Sequence, residues 1–293
     1  MGVEEVRDMS ARRLRSGGMT CVVAIGLTAG LGLLTGAGLT ACTTVQTTAP
    51  GSVGIDRKQR MLVSEKDVED SAALAYAQET DKARSAGKLN SNPQLTARVR
   101  HVAERLIPVT AAFRPDAPKW NWEINTLQTD ELNAYAMPGG KIMVYSGLVD
   151  KLKLTDAEMA AVIGHEISHA LREHTRERVS RLYAQQLAVA GIAAVTGAGD
   201  AATDLANQIG TVTFQLPHSR EQESEADVMG LELMARAGYD PHAAISVWQK
   251  MMSAEQGGTP QFLSTHPSSG NRIAELEAQL PKVIPLYRAA AKS

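Results

Sequence analysis

Cysteine is nearly absent: the chain has two, Cys21 and Cys42, and both lie close to its start. Neither has a partner farther along, so no disulfide framework holds the body of the fold. Aromatic residues are also scarce, at 4% of 293 residues. The core must therefore come from Ala, Leu and Val, which points toward helices. Neither sign of charge dominates, the formal net charge being −2. Without a basic stripe, the composition argues against a nucleic-acid partner. Long apolar runs are missing from the body of the chain as well. The charge-free stretch Leu182 to Gly199 is short for a membrane span and carries Gln185, Gln186, Gly191 and Gly197. It reads as a buried helix end with a covering loop.

The N-terminus has a different character. Arg12, Arg13 and Arg15 precede an uncharged, largely apolar stretch from Met19 to Gly38, closed by Leu39-Thr40-Ala41-Cys42. That is the layout of a secretory signal. Small residues before a cysteine resemble a bacterial lipobox, which implies removal of residues 1–41 and lipidation of Cys42. Several acyl chains on one cysteine anchor a protein stably, whereas a single chain holds it only marginally. Thr43 in place of Asp after the cysteine resembles lipoproteins sent to the outer membrane, so the expected location is the periplasmic face of that membrane. Residues 42–54 then read as a lipidated cysteine and a flexible tether, and 55–293 as one globular domain of mainly helical α+β class.

Asp56 to Gly87 and Asn92 to Val109 carry apolar residues at helical spacing and read as two helices around a turn. From Pro115 the pattern changes. Trp120 to Asn125 and Lys141 to Tyr145 alternate like strands. With Asn133 to Ala136 and the turn Met137-Pro138-Gly139-Gly140, they predict a small antiparallel sheet of about three strands. An exposed strand edge can accept an extended peptide through backbone hydrogen bonds.

The most informative stretch is Glu158 to His174, which contains one His-Glu-x-x-His at His165, Glu166 and His169. On a helix the two histidines stand one turn apart on one face and can share a cation, with Glu166 free to act as a base toward its water. Thr155 and Glu158 form a capping box that starts this helix. The same residues could instead be two hydrogen-bonded histidines in a buried helix, so the pattern needs a third ligand. Arg172 and Thr175 stand where a metzincin needs Gly and His, which excludes that form. Farther on, Ser219 to Met234 offers Glu221, Glu223 and Glu225. Helical periodicity places Glu223 and Asp227 with Gly230, Leu231 and Met234 on one face, and Glu221 and Glu225 with Glu232 and Arg236 on a wetter one. Glu223 is therefore the expected ligand. Asp227, one turn on, could fix the tautomer of a ligating imidazole. The charged run from Arg172 to Arg178 is expected to emerge into solvent, and His101, His174, His218 and His242 have no motif context.

Four features occur in one order: His165 to His169; Glu223-Ser-Glu-Ala-Asp227; Asn133-Ala-Tyr-Ala-Met-Pro-Gly-Gly140 followed by a strand; and Thr265-His266-Pro267 before Arg272. This order resembles the gluzincin metallopeptidase family that includes the CAAX prenyl protease and HtpX, in particular its small soluble lipoprotein members. The resemblance covers roughly Leu89 to Leu280 and implies a zincin-like core with the sheet beside the active-site helix. It also implies one Zn2+ on His165, His169 and Glu223, with Glu166 catalytic and Asp227 behind the ligands. His266 and Arg272 are the oxyanion donors that it supplies, although His266 could equally occupy the open zinc position and hold the enzyme off. Gly139, Gly140, Lys141, Ile142, Met143 and Val144 would pair with substrate backbone, implying broad specificity for unfolded or extended polypeptides. The expected function is a zinc endopeptidase of the cell envelope acting in protein quality control. An assembly chaperone using the same groove, or a structural zinc protein with a closed site, are the alternatives.

Overall fold

The computed structural model describes residues 43–190, 201–254, 261–267 and 270–292. The expected signal (1–41), the lipidation site Cys42 and positions 191–199 of the apolar run lie outside the described residues. No described helix is long and apolar enough to cross a membrane.

Two helices open the body of the fold, as the periodicity predicts. The first, α1 (Glu65–Ser85), is capped by Ser64, whose side chain accepts from the Asp67 N–H. Acidic residues in its first turn and basic ones in its last suit the helix dipole. The second, α2 (Pro93–Leu106), starts at Asn92 with Pro93 in its first turn, where a missing N–H costs nothing. α1 begins later than Asp56 because β2 (Gln59–Met61) intervenes and pairs antiparallel with β1 (Thr43–Val45).

That pairing corrects the reading of residues 42–54 as a flexible tether. From Thr43 to Gly54 the backbone is docked. Ala49 N–H donates to the Phe113 carbonyl at 2.8 Å, and the Ser52 and Val53 N–H groups donate to Glu232 Oε2 at 2.7 and 3.0 Å. A polar, proline-containing segment looks like a spacer in composition, but its backbone donors find buried acceptors here.

The three-stranded sheet comprises β3 (Glu123–Leu127), β4 (Ala134–Met137) and β5 (Lys141–Tyr145), in the order β3-β5-β4. It is mixed rather than antiparallel: β4 and β5 form an antiparallel hairpin, while β3 runs parallel to β5. The turn at Gly139 and Gly140 explains this. Both have positive φ, and a Cβ on Gly140 would lie 2.7 Å from the Trp122 ring. With the Glu123 N–H donating to the Gly140 carbonyl at 3.0 Å, the start of β3 is fastened beside the start of β5. A second correction follows. β5, with Lys141, Ile142, Met143 and Val144 all buried, is the central strand and both of its edges are used. The edge strand that faces the central helix is β4.

That helix, α4 (Asp156–Leu171), begins with the predicted capping box of Thr155 and Glu158. After the short α3 (Ser146–Lys151), it runs buried through the domain and packs most extensively on α7 (Arg220–Arg236). α8 (His242–Ala254) flanks α4, and α10 (Arg272–Ala290) covers α7. α5 (His174–Ala190) and α6 (Ala201–Phe214) pack together, and α6 covers α1, closing a small second core around Tyr76, Tyr135 and Ile209. The later part of α5, Ala184 to Leu187, is exposed, not buried as the apolar composition suggests.

The charged run after Leu171 does not emerge into solvent. Arg172 and His174 are fully buried, and Glu177 and Arg178 nearly so. Arg57, from the docked N-terminal segment, pairs with Glu177 at 2.6 Å and with Glu225 at 2.7 Å. Arg172 also pairs with Glu225, at 3.0 Å. The helix face that carries Glu225 and Glu232 is therefore dry, although Glu221 is exposed. Burial opposes ionisation of Glu177, but hydrogen bonds from Arg57, Gln59 and Gln222 outweigh it and lower its pKa to about 2.

A folded-state pKa below the ordinary 4.5 means that the contribution of Glu177 to stability is present above that value and is lost as pH falls toward 2. Glu177→Gln should flatten the decline of stability in this acid window. The check is urea unfolding at a series of pH values, and an unchanged pH slope would remove Glu177 as a source of acid sensitivity.

Candidate functional site

The site is built where α4 and α7 touch. Gly164 and Gly230 meet at the crossing, and a Cβ on Gly230 would lie 2.7 Å from the His165 nitrogen and 2.9 Å from the Gly164 carbonyl carbon. Only hydrogen fits there. This contact lets the short carboxylate of Glu223, two turns earlier on α7, reach the histidines of α4. His165 Nε2 and His169 Nε2 are 3.0 Å apart, and they lie 3.5 and 3.4 Å from the Glu223 carboxylate. His266 joins them, its Nδ1 3.0 Å from Glu223 Oε1 and 3.2 Å from His165 Nε2. The four ligand atoms of His165, His169, Glu223 and His266 all lie within 4.8 Å of one another.

These separations suit one metal ion, since tetrahedral ligands at bonding distance lie about 3.3 Å apart. The electrostatics agree. Burial alone would lower the pKa of His165, but the Asp227 and Glu223 carboxylates push it up to about 10. The cluster thus calls for a positive charge, which a proton or a metal ion can supply. Burial holds His169 neutral, with its pKa well below the usual range, as a metal ligand must be. Burial also works against the charge on Glu223, but His266, His165 and His169 outweigh it and keep the group a carboxylate.

Glu166 lies beside the cluster. Its Oε2 accepts from the Ala136 N–H of β4 at 3.1 Å, while its buried Oε1 has no hydrogen-bond partner among the described residues. Burial pushes this carboxyl up, against the pull of His266 and His165. A raised carboxyl with one free oxygen beside a cation site is the arrangement of a general base. His266 Nε2 stands 3.5 Å from that oxygen.

Asp227 accepts from His165 Nδ1 at 2.9 Å, as the helical periodicity predicts. Arg272 directs two of its nitrogens to carboxylates, while its buried Nη1 has no hydrogen-bond partner among the described residues. Its Nε donates to Asp227 at 2.5 Å and its Nη2 to Glu223 at 2.6 Å, and it lies over the Trp248 ring at 3.8 Å. It fastens the two carboxylates from behind the cluster, because the start of α10 packs against the outer side of α7. Gly139, Gly140 and Lys141 to Val144 sit in the turn and the central strand, not on the outer strand β4.

Two histidines without motif context also belong to the neighbourhood. His174 Nδ1 is 2.8 Å from His169 Nδ1, and the His218 ring stacks on His266 with centroids 4.9 Å apart. His174 is five residues beyond His169, a spacing that on a continuous helix points away. Glu173 at φ 52° breaks the helix and swings His174 back. No sequence signal marks that break.

The family profile described as Peptidase family M48 matches residues 93–280, more than half of the chain. The chain belongs to peptidase family M48. The matched region is a metallopeptidase domain of that family, with the mainly helical α+β fold expected of it. The chain is similar to the mitochondrial metalloendopeptidase OMA1 of Schizosaccharomyces pombe, 34% identical over 190 residues that cover 63% of this chain and 52% of the relative. It is similar to the metalloprotease YcaL of Escherichia coli at 25% identity, over 66% of this chain and 76% of that one. The beta-barrel assembly-enhancing protease of Escherichia coli also matches at 25% identity, over 69% of this chain and 42% of the relative. The chain spans about half or less of the length of the OMA1 proteins that it matches.

The glycine contact gives a direct test. Gly230→Ala should cost about 1–3 kcal/mol of stability through overpacking, measured by urea unfolding, and should weaken metal retention as α4 and α7 are pushed apart. Gly210→Ala, where a Cβ meets nothing within 4 Å, is the control. Equal behaviour of the two variants would show that the helices tolerate separation.

Proposed function

We propose that the chain is a zinc-dependent endopeptidase of the bacterial cell envelope that cleaves unfolded or misassembled exported proteins. The observation that carries this reading is the buried set of His165, His169 and Glu223 with the free carboxylate oxygen of Glu166 beside it. Two nitrogens and a carboxylate suit zinc. Zinc in such a set acidifies water and polarises a carbonyl. Glu166 takes the proton of the attacking water as its oxygen bonds to the peptide carbon. It then hands that proton to the leaving amine as the C–N bond breaks. Asp227 and Arg272 hold the ligands during this exchange.

Substrate binding is assigned to β4. In an antiparallel pair, alternate residues direct their backbone groups to the outer edge. Ala136 is such a residue, since its N–H reaches Glu166 and not β5. The carbonyls of Ala134 and Ala136 face the same way; both residues are buried here, and once uncovered they would offer acceptors to an extended chain, which reads backbone and not side chains. His266 bears on access. Its place among the ligands, with every member of the cluster nearly fully buried, supports a closed resting state in which this ring fills the position that water and substrate need.

Envelope placement rests on the signal and lipobox pattern ending at Cys42, and on the likeness to a protease named for beta-barrel assembly. The lipobox pattern is also the ground for assigning the chain to a small lipoprotein branch of the family.

Glu166→Gln should reduce cleavage of an unfolded substrate such as casein by about 100- to 10,000-fold while retaining zinc, and His165→Ala should lose zinc on metal analysis. Undiminished cleavage by Glu166→Gln would overturn the mechanism. His266→Ala should raise casein cleavage if the ring is a stopper, whereas a fall would give His266 a part in stabilising the transition state.

A further inference from the structure

We propose that His174 is a positioning residue for the second metal ligand, His169, and that Glu225 anchors it in that task. This rests on the reading of His165, His169 and Glu223 as a metal site, and extends it to residues that neither the motif nor the family resemblance marks.

The assignment of hydrogens is forced step by step. His169 Nε2 lies in the ligand cluster, 3.0 Å from His165 Nε2 and 3.4 Å from the Glu223 carboxylate, so it must present a lone pair to a cation. A neutral imidazole then carries its hydrogen on Nδ1. That hydrogen points at His174 Nδ1, 2.8 Å away, which must accept it. His174 in turn carries its own hydrogen on Nε2, which donates to Glu225 Oε2 at 2.9 Å. His174 is fully buried, so water offers no substitute partner.

The two ligand histidines are thus held in different ways. His165 donates directly to a carboxylate, Asp227, at 2.9 Å. His169 reaches its carboxylate only through an intervening ring. The far end of this relay is fixed from three sides. Arg172 Nη2 donates to Glu225 Oε1 at 3.0 Å, and Arg57 donates to the same carboxylate at 2.7 and 2.9 Å. Gln59 holds the Arg172 carbonyl at 2.7 Å. Arg57 and Gln59 belong to the docked N-terminal segment, so the support of His169 extends to residues far from the motif in sequence. Partners of this kind set the tautomer and ring angle of a ligand, and their loss typically costs 10- to 100-fold in metal affinity.

A purely structural role for His174, as a buried polar group in a packed region, makes a different prediction. Asn places its amide oxygen near the position of a histidine Nδ1, whereas Gln places its amide near Nε2. His174→Asn therefore keeps an acceptor for His169 and His174→Gln does not. The experiment measures transfer of zinc from the full chain to a chromogenic chelator, with circular dichroism and urea unfolding of the metal-free proteins alongside. His174→Gln and His174→Leu should bind zinc about 10- to 100-fold more weakly than wild type, and His174→Asn should lie closer to wild type. Glu225→Gln should weaken binding in the same direction as His174→Gln. Folded His174→Gln with wild-type zinc retention would overturn the proposal. So would equal losses in the Asn and Gln variants, which would mark a packing effect. Wild-type protein that holds no zinc would instead overturn the metal reading itself, so the two failures are distinguishable.

Discussion

The approach of α4 to α7 at Gly164 and Gly230 is the constraint on which the rest of the site depends. A metal centre of two imidazoles and a carboxylate needs three ligand atoms about 3.3 Å apart, drawn here from two separate helices. Glu223 has a short side chain, and it reaches His165 and His169 only because backbone meets backbone at the crossing. The predicted apolar face of α7, with Gly230, Leu231 and Met234, serves as the seat of that contact. Both helices also begin with capping boxes, Thr155 with Glu158 and Ser219 with Gln222. Their entry points are thereby set, and so is the register of the ligands along them.

Bringing so many charges out of water imposes a second constraint. A buried ion left without a partner costs several kcal/mol, and here the pairing is complete enough to form two adjoining systems. Arg272 serves Glu223 and Asp227. Arg172 and Arg57 serve Glu225, and Arg57 serves Glu177 as well. The second system requires the segment around Thr43 to Met61 as its outer wall, because Arg57, Gln59, Thr47 and Thr48 all contribute to it. That is why a stretch with the composition of a spacer is packed against the domain.

The parts legible from sequence are those governed by local rules. The His165 to His169 spacing, the capping box at Thr155, the turn at Gly139-Gly140 and the pairing of Glu223 with Asp227 on one face follow from helical and turn geometry alone. Dryness does not separate the two faces of α7, since Glu225 and Glu232 are buried as Glu223 is. What places Glu223 beside the α4 histidines is Gly230 at the helix crossing. What escapes a local reading is set by tertiary pairing. His174 returns to the site through one backbone angle at Glu173. The parallel course of β3 follows from Trp122 lying over Gly140. The fate of the N-terminal segment is decided by acceptors on α7, distant in sequence.

Enclosure is the property that links this architecture to activity. The outward Ala136 N–H of the buried strand β4 donates to Glu166, which ties the edge of the sheet to the centre of the site. His266 lies in the same space, stacked between Phe262 and His218 with centroids 4.4 and 4.9 Å away. The ring follows directly after α9 (Gln261–Thr265), a single short turn, whereas His165, His169 and Glu223 sit on long, capped helices. α9 is tied down by the Phe262 N–H, which donates to the Leu132 carbonyl at 3.0 Å, and by the next residue, His266, whose Nδ1 lies 3.0 Å from Glu223 Oε1. Long, capped helices therefore place His165, Glu166, His169 and Glu223, while His266 follows a short turn laid over them. Phe262, Leu263, Thr265 and His266 are themselves nearly fully buried, so the wall over the cluster is packed as tightly as the helices beneath it.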